Sequence, residues 1–186
     1  MLVVLSAVSA VSLTPWEKAK GGQTRELHFT DKDGAHTVKF LLGDQRQKKI
    51  EDGYTRDREL NVTHTIGKRE VWKAKDFVKQ CEFDLELEFL DNSIEVTDLD
   101  DDGIAEVSFL YKLGCRSDVS PLEVKLLMYE GKTKYALRGE SYERVGETEY
   151  LGGTFKPDFG DAPPAFLEFA KAKWQRLVVD LARPKD

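Results

Sequence analysis

Cysteine, histidine and clustered basic residues are all scarce in this chain, and each scarcity removes a class of function. Only two cysteines occur in 186 residues, Cys81 and Cys115, and neither stands in a CxxC pair. A four-thiolate zinc site is therefore excluded. The three histidines, His28, His36 and His64, lack ligand spacings such as HxxxH, and they are expected on exposed strands or turn edges. No GxSxG elbow surrounds Ser117 or Ser120, so a serine nucleophile has little support. The 28 Lys and Arg are outnumbered by 34 Asp and Glu, giving a net charge of −6 with the cations dispersed. Phosphate recognition needs a basic face, so no nucleic-acid partner is expected. No apolar run has the length of a transmembrane helix, and no internal repeat suggests a propeller or solenoid.

What remains is an ordinary globular balance, 40% hydrophobic and 33% charged, in a length suited to one domain with a normal core. Residues 1–20 form an apolar N-terminal segment with two readings. MLVVLSAVSAVSL resembles the h-region of a secretory signal, with Val8-Ser9-Ala10 as an acceptable cleavage triplet, though no Lys or Arg precedes Lys18. The same β-branched stretch also suits a first strand. In an exported chain Cys81 and Cys115 are expected to form one disulfide; in a cytosolic one they would be two buried thiols.

Residues 21–186 read as a single β-rich domain. RELHFT and AHTVKFLL flank Asp33-Gly34, and LEVKLLMY and KTKYALR flank Glu130-Gly131, two hairpin signals in which glycine accepts the positive φ of the turn. Strands are expected at Leu60–Ile66, Glu70–Lys75, Ser93–Thr97 and Ile104–Tyr111. The span Cys81–Phe89 alternates apolar and acidic residues with a period of two. Residues 43–59, polar and charged, read as a long exposed loop, and residues 139–160 as irregular, with one short strand at Glu149–Leu151. A helix is expected over 163–182. Asp161 is its candidate cap, Pro163 and Pro164 lie in its first turn, and Phe166, Phe169, Ala170, Trp174, Leu177, Val178 and Leu181 share one face. The fold class is thus α+β, mainly β: antiparallel hairpins in a sheet or sandwich with a C-terminal amphipathic helix packed on it.

The most informative segment is Asp98–Glu106, DLDDDGIAE. Asp98, Asp100 and Asp102 occupy alternating positions before Gly103, the carbonyl of Ile104 can serve as a further ligand, and Glu106 replaces the acid that Phe109 cannot supply at the twelfth position. Hard oxygen donors in this number suit Ca²⁺ in a structural role. The loop resembles the DxDxDGxxE loops of FG-GAP and VCBS-type β-repeats, which join two strands and hold calcium. The metal-free reading is a turn in which aspartates cap backbone N–H groups.

Three stretches carry a second resemblance: WKAKDFVKQCEFD (72–84), VTDLDDDGIAEVSFLYKLGCRSDVSP (96–121) and LEVKLLMYEGKTKYALRG (122–139). Together they resemble an uncharacterised family of bacterial secreted proteins or lipoproteins, some of which are labelled surface polysaccharide biosynthesis proteins. The resemblance implies export, to the periplasm or beyond, and a β-rich fold closed by a C-terminal helix; no lipobox cysteine is present. The function expected is a calcium-stabilised, non-enzymatic cell-envelope module with a glycan or protein partner. The alternative is a polysaccharide-processing enzyme, for which Asp76, Asp84, Asp118 and Arg138 are the candidate ligand-site positions. Trp16, Trp72, Tyr111, Tyr129 and Tyr135 would form either a sugar-stacking platform or core pairs.

Overall fold

The computed structural model describes residues 8–180, and within them fifteen strands and one helix build three layers. The first layer is an antiparallel sheet of β1 (Ser9–Leu13), β2 (Glu17–Ala19), β3 (Gly22–Asp31), β4 (Gly34–Gly43), β5 (Arg46–Ile50), β6 (Gly53–Ile66) and β7 (Arg69–Cys81). The second contains β8 (Asp84–Phe89), β9 (Glu95–Thr97), β10 (Glu106–Arg116), β11 (Glu123–Glu130), β12 (Thr133–Glu140) and β15 (Phe155–Asp158). A separate small hairpin pairs β13 (Tyr142–Arg144) with β14 (Tyr150–Gly152). The third layer is α1 (Pro164–Trp174), continued by a π-helical segment Gln175–Asp180.

Strand alternation explains the layering. In the first sheet Leu27, Phe29, Val38, Phe40, Leu60 and Val62 turn inward and meet Leu87, Phe89, Val107, Phe109 and Leu127 of the second sheet. The neighbours of these residues along each strand face outward, the period-two pattern of a half-buried sheet. The second sheet has no solvent face over most of its area. Its opposite side, with Leu110, Val124, Leu126, Met128 and Leu137, is covered by Phe166, Ala170, Trp174, Leu177 and Val178. That is why VSFLY in β10 is apolar almost without interruption and buried throughout. A strand in a middle layer gains burial on both sides, each large side chain contributing about 1.5–3 kcal/mol.

Several expectations are corrected. Residues 43–59 are not a loop: charged β5 and the start of β6 form a hairpin, Arg46 opposite Asp57 and Ile50 opposite Gly53. Backbone pairing, together with Arg58 reaching the carbonyls of Gly43 and Leu87, stabilises strands that no apolar pattern announces. Cys81–Phe89 is not one strand. Cys81 ends β7, the chain turns, and Phe83 is left 55% exposed before β8 begins. Asp161 does not cap the helix; Pro163 holds the N-cap position with no side-chain hydrogen bond. The π-helical turn then brings Val179 into the core beside Leu177 and Val178. Phe169 is only partly buried, whereas Lys173, which the apolar face did not include, is 2% exposed.

Ser9–Leu13 pairs with β3. The apolar residues 1–7 and, at the other end, Leu181 and Pro184 lie outside the described residues. Among the described residues no helix is long and apolar enough to cross a membrane.

Candidate metal centre

The acidic segment closes the β9–β10 hairpin, with Thr97 directly opposite Glu106. Two residues in the turn take left-handed backbone conformations, Asp101 at φ 57° and Gly103 at φ 84°. This curls the chain so that successive carboxylates point inward instead of alternating outward. Local hydrogen bonds hold the curl: the N–H of Gly103 donates to Asp98 Oδ1 at 3.4 Å, and that of Ile104 to Asp102 Oδ1 at 2.6 Å.

The carboxylates gather in two overlapping groups. Oxygens of Asp98, Asp100 and Glu106 lie within 4.8 Å of one another, and so do those of Asp100, Asp102 and Glu130. Asp100 belongs to both. Glu130 was not among the expected metal ligands. It sits at the end of β11, and the β10–β11 register places it opposite Glu106. The signal was present in the Glu130-Gly131 turn, but only the strand pairing reveals what that glutamate faces.

Glu106 is fully buried and accepts from Thr97 Oγ1 at 2.7 Å and from the Leu99 N–H at 3.1 Å. Burial dominates its titration and pushes its carboxyl up to about 7, with Asp100 and Glu130 adding to the rise. Burial likewise raises Glu130, reinforced by Asp100 and Asp102. Its Oε1 is buried without a hydrogen-bond partner. The nearby cation is Lys32, whose Nζ donates to the Asp102 carbonyl at 2.8 Å and lies 3.7 Å from Asp102 Oδ2. One exposed ammonium does not neutralise five carboxylates. The donor set is all oxygen, charged and partly desolvated, which fits a hard divalent cation and not a thiophilic metal. Of the expected ligands, Asp98, Asp100, Asp102 and Glu106 therefore converge, joined by Glu130; Ile104 engages the turn through its N–H.

The remaining candidates do not form one site. Asp76 accepts from Tyr111 Oη at 2.9 Å and from Lys125 Nζ at 2.6 Å, tied into the sheets. Asp76 and Arg138 line a cleft with Lys73, Lys75, Lys125 and Lys134. Four of its five cations are already paired: Lys73 with Glu70, Lys75 with Glu59, Lys125 with Asp76, and Arg138 with Asp158. Asp84 and Asp118 are exposed and lie outside that cleft. Hydrogen bonds from Ser120 hold the Asp118 carboxyl below its usual range, the opposite of what a general acid needs. Trp72 and Tyr129 stack at 3.9 Å inside the core, so they offer no sugar platform. The two cysteines are joined, Cα to Cα 5.6 Å, linking the end of β7 to β10.

A correction concerns histidine. His36 and His64 are not on exposed edges: they are 5% and 4% exposed, stacked beside Phe29 between the sheets. Their strands carry them inward in phase with Val38 and Val62, an alternation that polar residues obscured. No family model, curated protein or solved structure matches this chain.

Proposed function

We propose that this protein is a non-enzymatic β-sandwich module of the cell envelope, working in an oxidising compartment and stabilised by one calcium ion held at Asp98, Asp100, Asp102, Glu106 and Glu130. The observation that carries the reading is that these five carboxylates form two groups of three sharing Asp100, with a buried Glu130 oxygen that has no protein donor. Among the described residues, the carboxyls raised above their usual range are Glu106 and Glu130, both at this turn. An enzyme reading would want such carboxyls facing each other across a substrate cleft. The Cys81–Cys115 disulfide supports export, and the resemblance to secreted proteins supports an envelope location with a glycan or protein partner. The ion would neutralise the turn and fix the β9–β10 hairpin.

Thermal unfolding in EDTA and in millimolar calcium tests this, with Asp100→Asn alongside because Asp100 serves both groups. At a hundred times the dissociation constant, calcium should add about 2.7 kcal/mol to the wild type, and much less to the variant. Equal melting temperatures with and without calcium in the wild type would overturn the reading.

A further inference from the structure

A second polar cluster lies beside the acidic loop, joined to it through Asp31. Asp31, at the end of β3, is 7% exposed, and its carboxylate accepts three hydrogen bonds. Oδ1 takes the N–H of Asp33 at 2.7 Å and His36 Nε2 at 2.7 Å; Oδ2 takes the N–H of Ala105 at 3.0 Å. An acceptor so used requires the proton of His36 to sit on Nε2. With the His36 ring neutral, its Nδ1 is a lone pair, and His64 Nε2, 2.8 Å away, is the donor to it. The chain of assignments ends at His64 Nδ1, left as a bare acceptor. That atom is buried and has no partner.

His64 lines a cavity of about 140 Å³ whose walls include Ile66, Val71 and Ile104. Arg69 and Lys132 also line it. Neither makes an ion pair with any described residue, and the carboxylates of Asp33 and of Asp31, the latter occupied by His36, line the same cavity. Burial first, then the neighbouring His36, lowers the His64 pKa to about 4, so its ring is neutral near pH 7.

We infer that this cavity binds a compact oxyanion carrying a hydroxyl group, of the 2-hydroxycarboxylate kind, whose hydroxyl donates to His64 Nδ1 while its carboxylate is met by Arg69 and Lys132. Each feature restricts the ligand. The orphan acceptor asks for an O–H or N–H donor, because an unpaired buried polar atom costs about 1–3 kcal/mol. Arg69 and Lys132, unpaired among the described residues, ask for negative charge beyond that of Asp33. The volume limits the ligand to roughly six heavy atoms, since a cavity of about 150 Å³ accommodates benzene. Asp31 acts as a positioning residue, because it fixes the tautomer of His36 and through it that of His64.

Lactate and propionate separate the elements of this site, since they differ by the hydroxyl alone. The measurement is a titration of calcium-free protein followed by imidazole ¹⁵N shifts, with inorganic phosphate as a third probe. Lactate should move the His64 Nδ1 resonance and bind at least about tenfold more tightly than propionate, the expected effect of one satisfied buried hydrogen bond. The surface double variant Arg69→Gln/Lys132→Gln should weaken lactate by about tenfold or more while leaving the His64 resonance of the free protein in place. Phosphate displacing lactate competitively would support the same oxyanion-plus-hydroxyl chemistry with an inorganic ligand as its source. Equal binding of lactate and propionate, or no probe moving His64 Nδ1 at about 100 mM (a ceiling weaker than any Kd of biological interest), would overturn the inference.

Discussion

Asp31 Oδ2 receives the backbone N–H of Ala105 at 3.0 Å, from a residue 74 positions later in the chain, where the acidic loop enters β10 of the other sheet. The contact is doubled by the N–H of Lys32 donating to the carbonyl of Gly103 at 3.1 Å. The β3–β4 turn is thereby fastened to the acidic loop, and one carboxylate supports both the loop and the histidine pair.

Asp31→Asn should accordingly cost far more than its small change in shape suggests. An amide cannot accept on both sides, so it must present N–H₂ either to the Ala105 N–H or to the donors on the other oxygen. A loss of roughly 1–3 kcal/mol is expected, the range for leaving a buried donor unpaired. Urea unfolding measures it, and a loss under about 0.5 kcal/mol, the level of a neutral surface change, would contradict the hub role.

Acid should weaken the fold through His64. Its folded pKa is about 4 against 6.5 ordinarily, because burial disfavours the charged ring. Between those values the unfolded chain binds more protons than the native one, so stability is complete above pH 6.5 and falls as pH drops towards 4. Up to about 3 kcal/mol is at stake in that window. Urea midpoints for the wild type and His64→Gln at pH 7 and pH 4.5 should show a smaller acid loss in the variant.

At the alkaline end the corresponding group is Lys173. Its Nζ, buried under the helix, donates to Ser108 Oγ at 2.7 Å and lies 3.3 Å from Glu95 Oε2. Burial lowers its pKa to about 8, partly opposed by Glu95. The unfolded chain therefore holds the extra proton between about pH 8 and 10.5, and stability should rise with pH across that range. Lys173→Met should remove the rise, as seen in the difference between the two proteins' pH profiles.

Removing the Cys81–Cys115 bond, by Cys81→Ala/Cys115→Ala or by reduction, should lower stability by about 3–4 kcal/mol, from the 34-residue separation it closes. Calorimetry with and without reductant tests this. An unchanged melting temperature would mean that the unfolded chain is already confined near these residues.

The two hairpins at Asp33-Gly34 and Glu130-Gly131, and the helix at Phe166, were legible because their signals are local: turn residues and apolar period. The strands of residues 46–57 were not, since their side chains are charged and their stability comes from pairing and from Arg58. The acidic loop was legible as DLDDDG, but Glu130 was not, because its membership depends on the register between β10 and β11. His36 and His64 were misplaced for a related reason. A lone histidine gives no sign of whether its strand neighbours are core residues until the strand's phase is known. The helix was foreseen without Lys173 facing inward, since the ammonium finds Ser108 and Glu95 only once helix and sheet are packed.

The two sheets are fastened to each other at both ends of β10. At one end stands the Cys81–Cys115 bond, at the other the grip of Asp31 and Lys32 on Gly103 and Ala105. The sandwich is thus like a book with a covalent clasp on one edge and a hydrogen-bonded spine on the other. Were the sheets to part, the Trp16–Phe89 and Phe40–Phe109 contacts would be among the pages that meet water. The acidic loop and this join between the sheets therefore depend on the same few atoms.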